Sequence, residues 1–218
     1  MKILPSALLV MLALGGPLHA SAQQYPVKPI RLIIPFGPGG TNDILGRLVA
    51  QKISENVGQQ VIPDNRGGAG GSIGVEAAAR SNPDGYTIVI GHIGTLAVNP
   101  TLYTKLGYDP LRDFEPITMI AKLPNLMAIH PSLPAKNVAE FVKLARSKPG
   151  ALAYGSGGTG GAGHLATEYF KLMTKTNITH VPYRSTGLAV IDVLSGQVGM
   201  VFAGVPAGAR MPYHCVAS

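Results

Sequence analysis

Two glycine-rich segments dominate the chain, and each lies between a short apolar run and a longer run with helical spacing of apolar residues. The first follows residues 30–34 and the second follows residues 151–154. A strand that turns through glycines into a helix leaves backbone N–H groups without partners, all facing one point. Because glycine has no side chain, the backbone itself can contact a ligand there. The partial positive charge of the helix start makes such a turn suitable for a carboxylate or a phosphate.

We therefore expect the two loops to hold one anion between two lobes. The candidate ligand-binding residues are Phe36, Gly37, Pro38, Gly39, Gly40, Thr41 and Asp43 in the first loop, and Gly155, Ser156, Gly157, Thr159, Gly160 and His164 in the second. Asp43 stabilises the start of its helix or accepts a hydrogen bond from a ligand amine or an ordered water, and both roles can hold at once. His164, in the first turn after the second loop, either donates to a bound carboxylate or packs.

The remainder of the chain predicts an α/β fold with mostly parallel strands, because short β-branched runs alternate with longer runs of helical period. The predicted strands are residues 30–35, 60–63, 87–91, 116–121, 126–130, 151–154, 179–182 and 197–202, and the predicted helices are residues 41–57, 72–80, 138–147, 163–174 and 187–194. Thr41, Ser72 and Asn137 are the expected N-caps, and Glu140 completes a capping box with Asn137.

The first 22 residues have the features of an export signal, with Lys2, an apolar run and small residues before Gln23. We expect cleavage after Ala22 and no membrane insertion of the remainder, which has no run of ~18 apolar residues. The formal net charge is +7, but Lys and Arg do not cluster with aromatic residues, so we expect no nucleic-acid partner. The one cysteine, Cys215, allows no intramolecular disulfide and no thiolate zinc site.

Two motifs match other functions. Gly155-x-Gly157-x-x-Gly160 fits a dinucleotide-binding fingerprint, but the acidic residue expected ~20 positions later is absent. Ser72 matches the nucleophile elbow of hydrolases, although residues 66–69 separate it from the preceding strand. An exported esterase-like hydrolase using Ser72, with His164 or His180 as base, stays open as the alternative function. None of the histidines has the spacing of a metal site, so we expect no metal and no cofactor.

Eight segments spread along the chain form a set that is specific, although each is weak alone. They are residues 25–43, 64–74, 82–87, 99–103, 108–114, 155–166, 180–184 and 192–198, and they include Asn82-Pro83-Asp84-Gly85 and His180-Val181-Pro182-Tyr183-Arg184. Over roughly residues 25–203 this set resembles the Bug family, the periplasmic solute-binding receptors of tripartite tricarboxylate transporters.

The resemblance implies a two-lobed α/β fold, of the type II periplasmic-binding-protein class, that closes over a small carboxylated solute. It implies that residues 36–43 and 155–164 bind the carboxylate, partly through ordered waters, and that Thr95 lines the cleft. We therefore expect a non-catalytic, monomeric periplasmic receptor that delivers an organic carboxylate to membrane transporter subunits.

The end of the chain departs from the family. Its members continue with a segment that returns to complete the first lobe, whereas residues 204–218 have neither helical nor strand periodicity and do not resemble them. We therefore expect a truncated or frameshifted receptor with weak or no ligand binding. Its parts are a signal peptide at 1–22, an incomplete first lobe at 23–112, a second lobe at 113–203 and an aberrant tail at 204–218. The composition change between residues 99 and 114 marks the expected hinge.

Overall fold

Two separate β-sheets, each with its own helices, make up the described part of the protein. The computed structural model describes residues 24–208 and 215–216. The predicted signal peptide at residues 1–22 lies outside the described residues, and so do positions 209–214 and 217–218 of the predicted tail. Within the described residues, no helix is both long enough and apolar enough to cross a membrane. The predicted α/β class is confirmed.

The first sheet is parallel and has three strands in the order β2-β1-β3. These strands are β1 (Ile30–Ile34), β2 (Val61–Asn65) and β3 (Thr87–Val89). The helices α1 (Thr41–Val57) and α2 (Ser72–Ala79) connect them, as parallel strands require. β1 is the central strand, and Leu32, Ile33 and Ile34 are almost completely buried in it because both faces of the sheet are covered.

A long connection joins the two sheets. It begins with a π-helical turn at Gly94–Val98 and the short helix α3 (Asn99–Leu102), neither of which the sequence pattern predicts. Residues 103–124 contain no helix or strand, so the strand predicted at residues 116–121 is wrong. Ile117 and Met119 are 80% and 67% exposed. A strand needs a neighbouring strand that forms hydrogen bonds with its backbone N–H and C=O groups. No strand among the described residues pairs with this segment, although its sequence has the alternating apolar pattern of a strand.

The second sheet is mixed, with the strand order β6-β5-β7-β4-β8. Its strands are β4 (Asn125–Ile129), β5 (Ala153–Ser156), β6 (Thr179–Pro182), β7 (Met200–Gly204) and β8 (Cys215–Val216). β5 is parallel to β6 and β7, whereas β4 is antiparallel to both of its neighbours. The helices that accompany this sheet are α4 (Val138–Ser147), α5 (Ala162–Thr174), α6 (Thr186–Leu194) and α7 (Val205–Gly208).

Helices cover both faces of the second sheet. Val201 of β7 packs with Val193 of α6 on one face, and the preceding residue, Met200, packs with Phe141 of α4 on the other. This alternation is the period of two that a strand imposes on its side chains. Because β5 and β6 are parallel neighbours, α5 and α6 start at the same edge of the sheet.

Most helix boundaries agree with the prediction. α1 and α4 have the predicted bounds, and the other three predicted helices differ by one residue at one end. Asn137 caps α4 as expected, since its side chain accepts a hydrogen bond from the Glu140 N–H (2.9 Å) and the Glu140 carboxylate accepts one from the Lys136 N–H (2.7 Å). The N-cap predicted for α1 is wrong, because Gly40 and not Thr41 occupies that position.

Regular structure continues beyond residue 203, where the sequence pattern predicts an aberrant tail. β7 ends at Gly204, α7 follows directly, and β8 pairs with β4. The described part of this segment thus contains helix and strand that its sequence pattern does not indicate, and the assignment of residues 204–218 as an aberrant tail stays a prediction. The division into lobes at residues 112 and 113 stays a prediction.

Candidate functional site

Three helices start at neighbouring points, each shortly after a strand. The first glycine loop joins β1 to α1, the second joins β5 to α5, and a third turn joins β6 to α6. The N–H of Gly37 donates to the backbone oxygen of Arg184 (2.9 Å), and the hydroxyl of Ser185 donates to the backbone oxygen of Pro38 (3.1 Å). The first loop is therefore bound directly to the turn before α6.

The second loop packs against the same helix start. A Cβ atom added to Gly157 would lie 3.0 Å from the backbone nitrogen of Thr186, and one added to Gly187 would lie 2.6 Å from the backbone carbon of Gly39. Only glycine allows the backbone to approach this closely. Both predicted loops therefore contact the start of α6. The starts of α1 and α5 both lie at the end of β7, because the hydroxyl of Thr41 donates to the backbone oxygen of Gly204 (3.4 Å) and a Cβ atom added to Gly163 would lie 2.5 Å from the backbone oxygen of Phe202.

The free donors of this region are the first backbone N–H groups of the three helices. No side chain of the described residues caps α1 or α5. Among residues 24–208, no acceptor contacts the N–H groups of Thr41, Asn42 and Asp43 in α1, Ala162, Gly163 and His164 in α5, or Thr186 and Gly187 in α6. These groups carry the partial positive charge of the helix starts. The region is therefore suited to an anion.

Several glycine N–H groups, in contrast, already have acceptors inside the protein. Gly39 donates to the Asp43 carboxylate (2.9 Å), and Gly160 donates to Nδ1 of His164 (3.2 Å). The N–H of Gly37 is bound to Arg184, as described above. These three glycine N–H groups are therefore not available to a ligand, whereas the N–H groups at the helix starts, a few residues beyond the glycines, have no acceptor among residues 24–208.

Asp43 is buried at the start of α1 and holds the first loop in place. One of its oxygens accepts from Gly39, and the other accepts from Nε of Arg47 (2.9 Å) and from the side-chain amide of Asn65 (3.0 Å). Asn65 also donates to the backbone oxygen of Phe36 (2.9 Å). Both carboxylate oxygens therefore have partners within the protein, which supports the structural role of Asp43.

Ser156, His164 and His180 form a polar cluster next to the second loop. Ser156 is fully buried at the end of β5, and its hydroxyl lies 2.7 Å from Nε2 of His180. The ring centroids of His164 and His180 are 4.4 Å apart. Burial lowers the pKa of His164, and burial together with the neighbouring His164 lowers the pKa of His180 to about 4. Both rings are therefore neutral at pH 7, so His164 can accept the N–H of Gly160 and fix the loop.

Phe36 and Thr95, two further predicted site residues, are buried. Phe36 packs edge-on against the ring of His92, with centroids 5.2 Å apart. The hydroxyl of Thr95 donates to the backbone oxygen of His92 (3.0 Å), and the hydroxyl of Tyr108 donates to the backbone oxygen of Thr95 (2.5 Å). Gly155, within β5, approaches Ala189 of α6 in the core. The contacts of these three residues support the shape of the loops.

A cleft of about 600 Å³ opens between the two sheets, next to the second loop and the turn before α6. Its lining comes from residues 67–70, Ile73 and Tyr103 on one side and residues 158, 159 and 182–184 on the other. The hydroxyl of Tyr103 donates to the backbone oxygen of Thr159 (3.3 Å), so the two sides are in contact. Thr159 is thus the predicted site residue that lines the cleft, and Arg184 is the charged residue among the described residues of its lining.

The start of α6, Tyr103 and Arg184 are parts of this region that the sequence analysis missed. Ser185 lies between a predicted strand and a predicted helix, as both glycine loops do, and serine is a favoured N-cap. In the structure its hydroxyl accepts from the Leu188 N–H (3.3 Å). That strand–turn–helix pattern in the sequence could have indicated the start of α6 as part of the site. No local pattern indicates Tyr103, because its contact with Thr159 joins residues 56 positions apart.

The contacts of Ser72 are those of a buried structural residue. It is the first residue of α2, where Gly71 is the N-cap and no side chain caps the helix, so the prediction of Ser72 as N-cap is wrong. Ser72 is buried, and its hydroxyl accepts from the side-chain amide of Asn99 (2.8 Å). A hydrolase nucleophile needs an exposed hydroxyl and a neighbouring base. These contacts give no support to the esterase alternative.

Comparison with known proteins places these features in a family. Residues 45–213 match the model of the tripartite tricarboxylate transporter family receptor, TctC. The chain is 36% identical over 188 residues to protein BugT of Bordetella pertussis, which covers 86% of this chain and 58% of BugT. The match to the family model thus extends ten residues past residue 203, where the sequence resemblance was predicted to end.

Solved structures agree with this match. The structure of R. palustris Rpa4515 with adipate is 41% identical to this chain and has a TM-score of 0.82, with 84% of this chain and 62% of that one covered. The periplasmic binding protein BugD is 30% identical and has a TM-score of 0.83, with 86% and 62% covered. The predicted periplasmic-binding-protein fold is therefore confirmed for the matched part.

The chain spans about three-fifths of the length of the relatives that it matches. Within that span, the predicted resemblance to the Bug proteins is confirmed by sequence and by structure. The chain belongs to the tripartite tricarboxylate transporter receptor family.

Proposed function

We propose that this protein binds the carboxylate of a small organic acid at the starts of α1, α5 and α6. The observation that carries the proposal is the convergence of three helix starts whose first N–H groups have no acceptor among residues 24–208. Helix starts attract anions through these donors and through the helix dipole. One solved relative, Rpa4515, is described with adipate, a dicarboxylate.

The binding residues in this proposal are of two kinds. Thr41, Asp43, His164 and Thr186 supply free backbone N–H groups at the helix starts. The remaining predicted residues of the two loops, including Gly40 and Gly157, allow the close approach of the backbones that places these donors together. Ordered waters between the N–H groups and the ligand carry part of the recognition, at little cost in free energy.

The role in transport follows from the family. Receptors of this family are periplasmic partners of a tripartite transporter, and we infer that this chain delivers its carboxylate to the membrane subunits of such a transporter. In this proposal the signal peptide is removed after Ala22, and the receptor acts as a monomer whose lobes, at 23–112 and 113–203, close over the solute.

Replacing Thr186 with aspartate tests the binding site. The new carboxylate at the first position of α6 competes with the ligand for the free N–H groups and repels it. An acidic residue in this position also stabilises a helix by about 0.3–1 kcal/mol. We therefore expect Thr186→Asp to keep or raise the melting temperature while it weakens adipate binding at least tenfold. Thr186→Asn is the matched control, because it has the same shape without the charge.

The measurement is isothermal titration of adipate, with thermal unfolding of each variant in parallel. Thr186→Asn should bind within about threefold of wild type. Equal binding by Thr186→Asp and Thr186→Asn would show that the carboxylate binds elsewhere. Failure of the wild-type protein to bind adipate, malate and other small carboxylates in a thermal-shift screen would refute the proposed function.

A further inference from the structure

We propose that Arg184 binds the second carboxylate of a dicarboxylate and so makes this receptor selective for diacids over monoacids. The proposal rests on the proposed function, because it assumes that the first carboxylate lies at the helix starts. It assigns a specificity-determining role to a residue that the sequence analysis did not include among the site residues.

Arg184 is the charged residue in the described lining of the cleft between the two sheets. Its side chain is exposed, and no acidic side chain of residues 24–208 lies within 4 Å of it. The other arginines in that range have partners: Arg31, Arg47, Arg66, Arg80 and Arg112 form ion pairs, and Arg146 donates to the backbone oxygen of Thr174. Arg184 thus differs from them in having a guanidinium that is free for a ligand.

The backbone of Arg184 is fixed at the edge of the helix-start region. Its oxygen accepts from the N–H of Gly37 (2.9 Å), and the next residue, Ser185, caps α6. Two residues of extended chain span at most about 7 Å and three at most about 11 Å, so the backbone of Arg184 lies within these distances of Thr186 and Gly187, whose N–H groups are free. A small diacid with one carboxylate on those groups places its other carboxylate within reach of the guanidinium.

The chemistry of the guanidinium fits this role. It is charged at all working pH values and offers two parallel donors that match the two oxygens of a carboxylate. The other described lining residues of the cleft are uncharged: residues 67–70, Ile73, Tyr103, and residues 158, 159, 182 and 183. Among the described lining residues, Arg184 is therefore the cationic group that can bind a second negative charge. A monocarboxylate of the same length cannot use it.

The test compares two acids of equal chain length, adipate and hexanoate, by isothermal titration at about 10 mM ionic strength, where charge interactions at exposed sites are least screened. Arg184→Gln should weaken adipate binding roughly tenfold, since a charge-assisted bidentate contact is lost. It should change hexanoate binding by less than about twofold. Arg184→Lys keeps the charge but loses the bidentate geometry, so its adipate affinity should lie between those of wild type and Arg184→Gln.

Arg66→Gln is the matched control. Arg66 directly precedes Gly67, which lines the same cleft, but Arg66 itself does not line it. Its guanidinium is already paired with Asp64 (2.9 Å). This variant should leave both affinities within about twofold of wild type. If Arg66→Gln lost as much adipate affinity as Arg184→Gln, the loss would reflect only the lower net charge of the protein, and the proposal would be overturned.

The outcomes separate this inference from the proposed function. If wild type binds adipate and hexanoate equally well, or if Arg184→Gln weakens both acids by the same factor, the assignment of Arg184 is wrong while carboxylate binding at the helix starts stands. If wild type binds neither acid nor any other carboxylate, the proposed function fails and this inference fails with it.

Discussion

Replacing Gly70 with alanine should separate the two sheets at the proposed binding site. A Cβ atom at this position would lie 2.1 Å from the backbone oxygen of Thr159, and real Cβ atoms essentially never come closer than 3.0 Å to another heavy atom. The oxygen belongs to the backbone of the second loop and cannot rotate away, so the two segments must move apart by about 0.9 Å. A hydrogen bond of about 2.9 Å that is stretched by this amount is lost.

Backbone strain adds a second, separable effect. Gly70 has a φ of 62°, in the left-handed region, where alanine costs roughly 1–2 kcal/mol. Gly58, which ends α1, has a φ of 68°, and apart from its chain neighbours no residue in the described part of the chain comes within 4 Å of an added Cβ. Gly58→Ala therefore reproduces the strain without the steric clash, and the difference between the two variants isolates the contact with Thr159.

The assays are urea unfolding and titration of adipate. Both variants should lose roughly 1–2 kcal/mol of unfolding free energy from strain, and Gly70→Ala should lose more because of the clash. Loss of one hydrogen bond to a carboxylate costs about 1.5–3 kcal/mol, so Gly70→Ala should bind adipate at least tenfold more weakly, whereas Gly58→Ala should bind like wild type. Gly70→Ala with the stability of Gly58→Ala and the affinity of wild type would refute the reasoning.

Three other changes probe the fold and the loop. Phe141→Ala should lower the unfolding free energy by about 3–5 kcal/mol, because a fully buried ring is lost from the second sheet's core; a loss below about 1 kcal/mol in urea unfolding would contradict this packing. Asn137→Ala should cost about 1 kcal/mol, and Asn137→Ser, which still caps α4, should cost less. The pKa of His180 is lowered to about 4 by burial and by His164, so the unfolded chain binds the proton more readily and stability should fall as pH drops from about 6.5 toward 4. His180→Gln should show a shallower fall in unfolding free energy between pH 7 and pH 5, and an unchanged slope would argue against this pair.

Elements with strong local signals were predictable from the sequence. α4 has an amphipathic pattern, and its Asn137–Glu140 capping box fixes where it begins, so its bounds agree with the prediction. β1 is rich in isoleucine and leucine and occupies the centre of its sheet. In these cases the residues that decide the structure lie within one or two turns of each other.

Elements that depend on distant partners were not predictable in the same way. Residues 116–121 alternate like a strand, yet no neighbouring strand among the described residues pairs with them. β8 has only two residues, and its pairing with β4 joins segments almost 90 positions apart. The site shows the same limit. Its glycine loops are visible in the sequence, whereas the contact of the second loop with Thr186 requires that β6 lie beside β5.

The polar side chains of the two loops explain why the proposed hydrogen bonds to the ligand come from the helix starts. Asp43 and His164 each turn back to accept a glycine N–H from their own loop, and the hydroxyl of Ser156 accepts the N–H of Gly158 (3.1 Å). The first N–H groups of α1, α5 and α6, in contrast, have no acceptor among residues 24–208. If a carboxylate binds there, its recognition depends on backbone positions that the loop side chains fix. Substitutions of those side chains should therefore weaken all carboxylates by similar factors, whereas changes around the cleft, such as Arg184→Gln, should alter the choice between them.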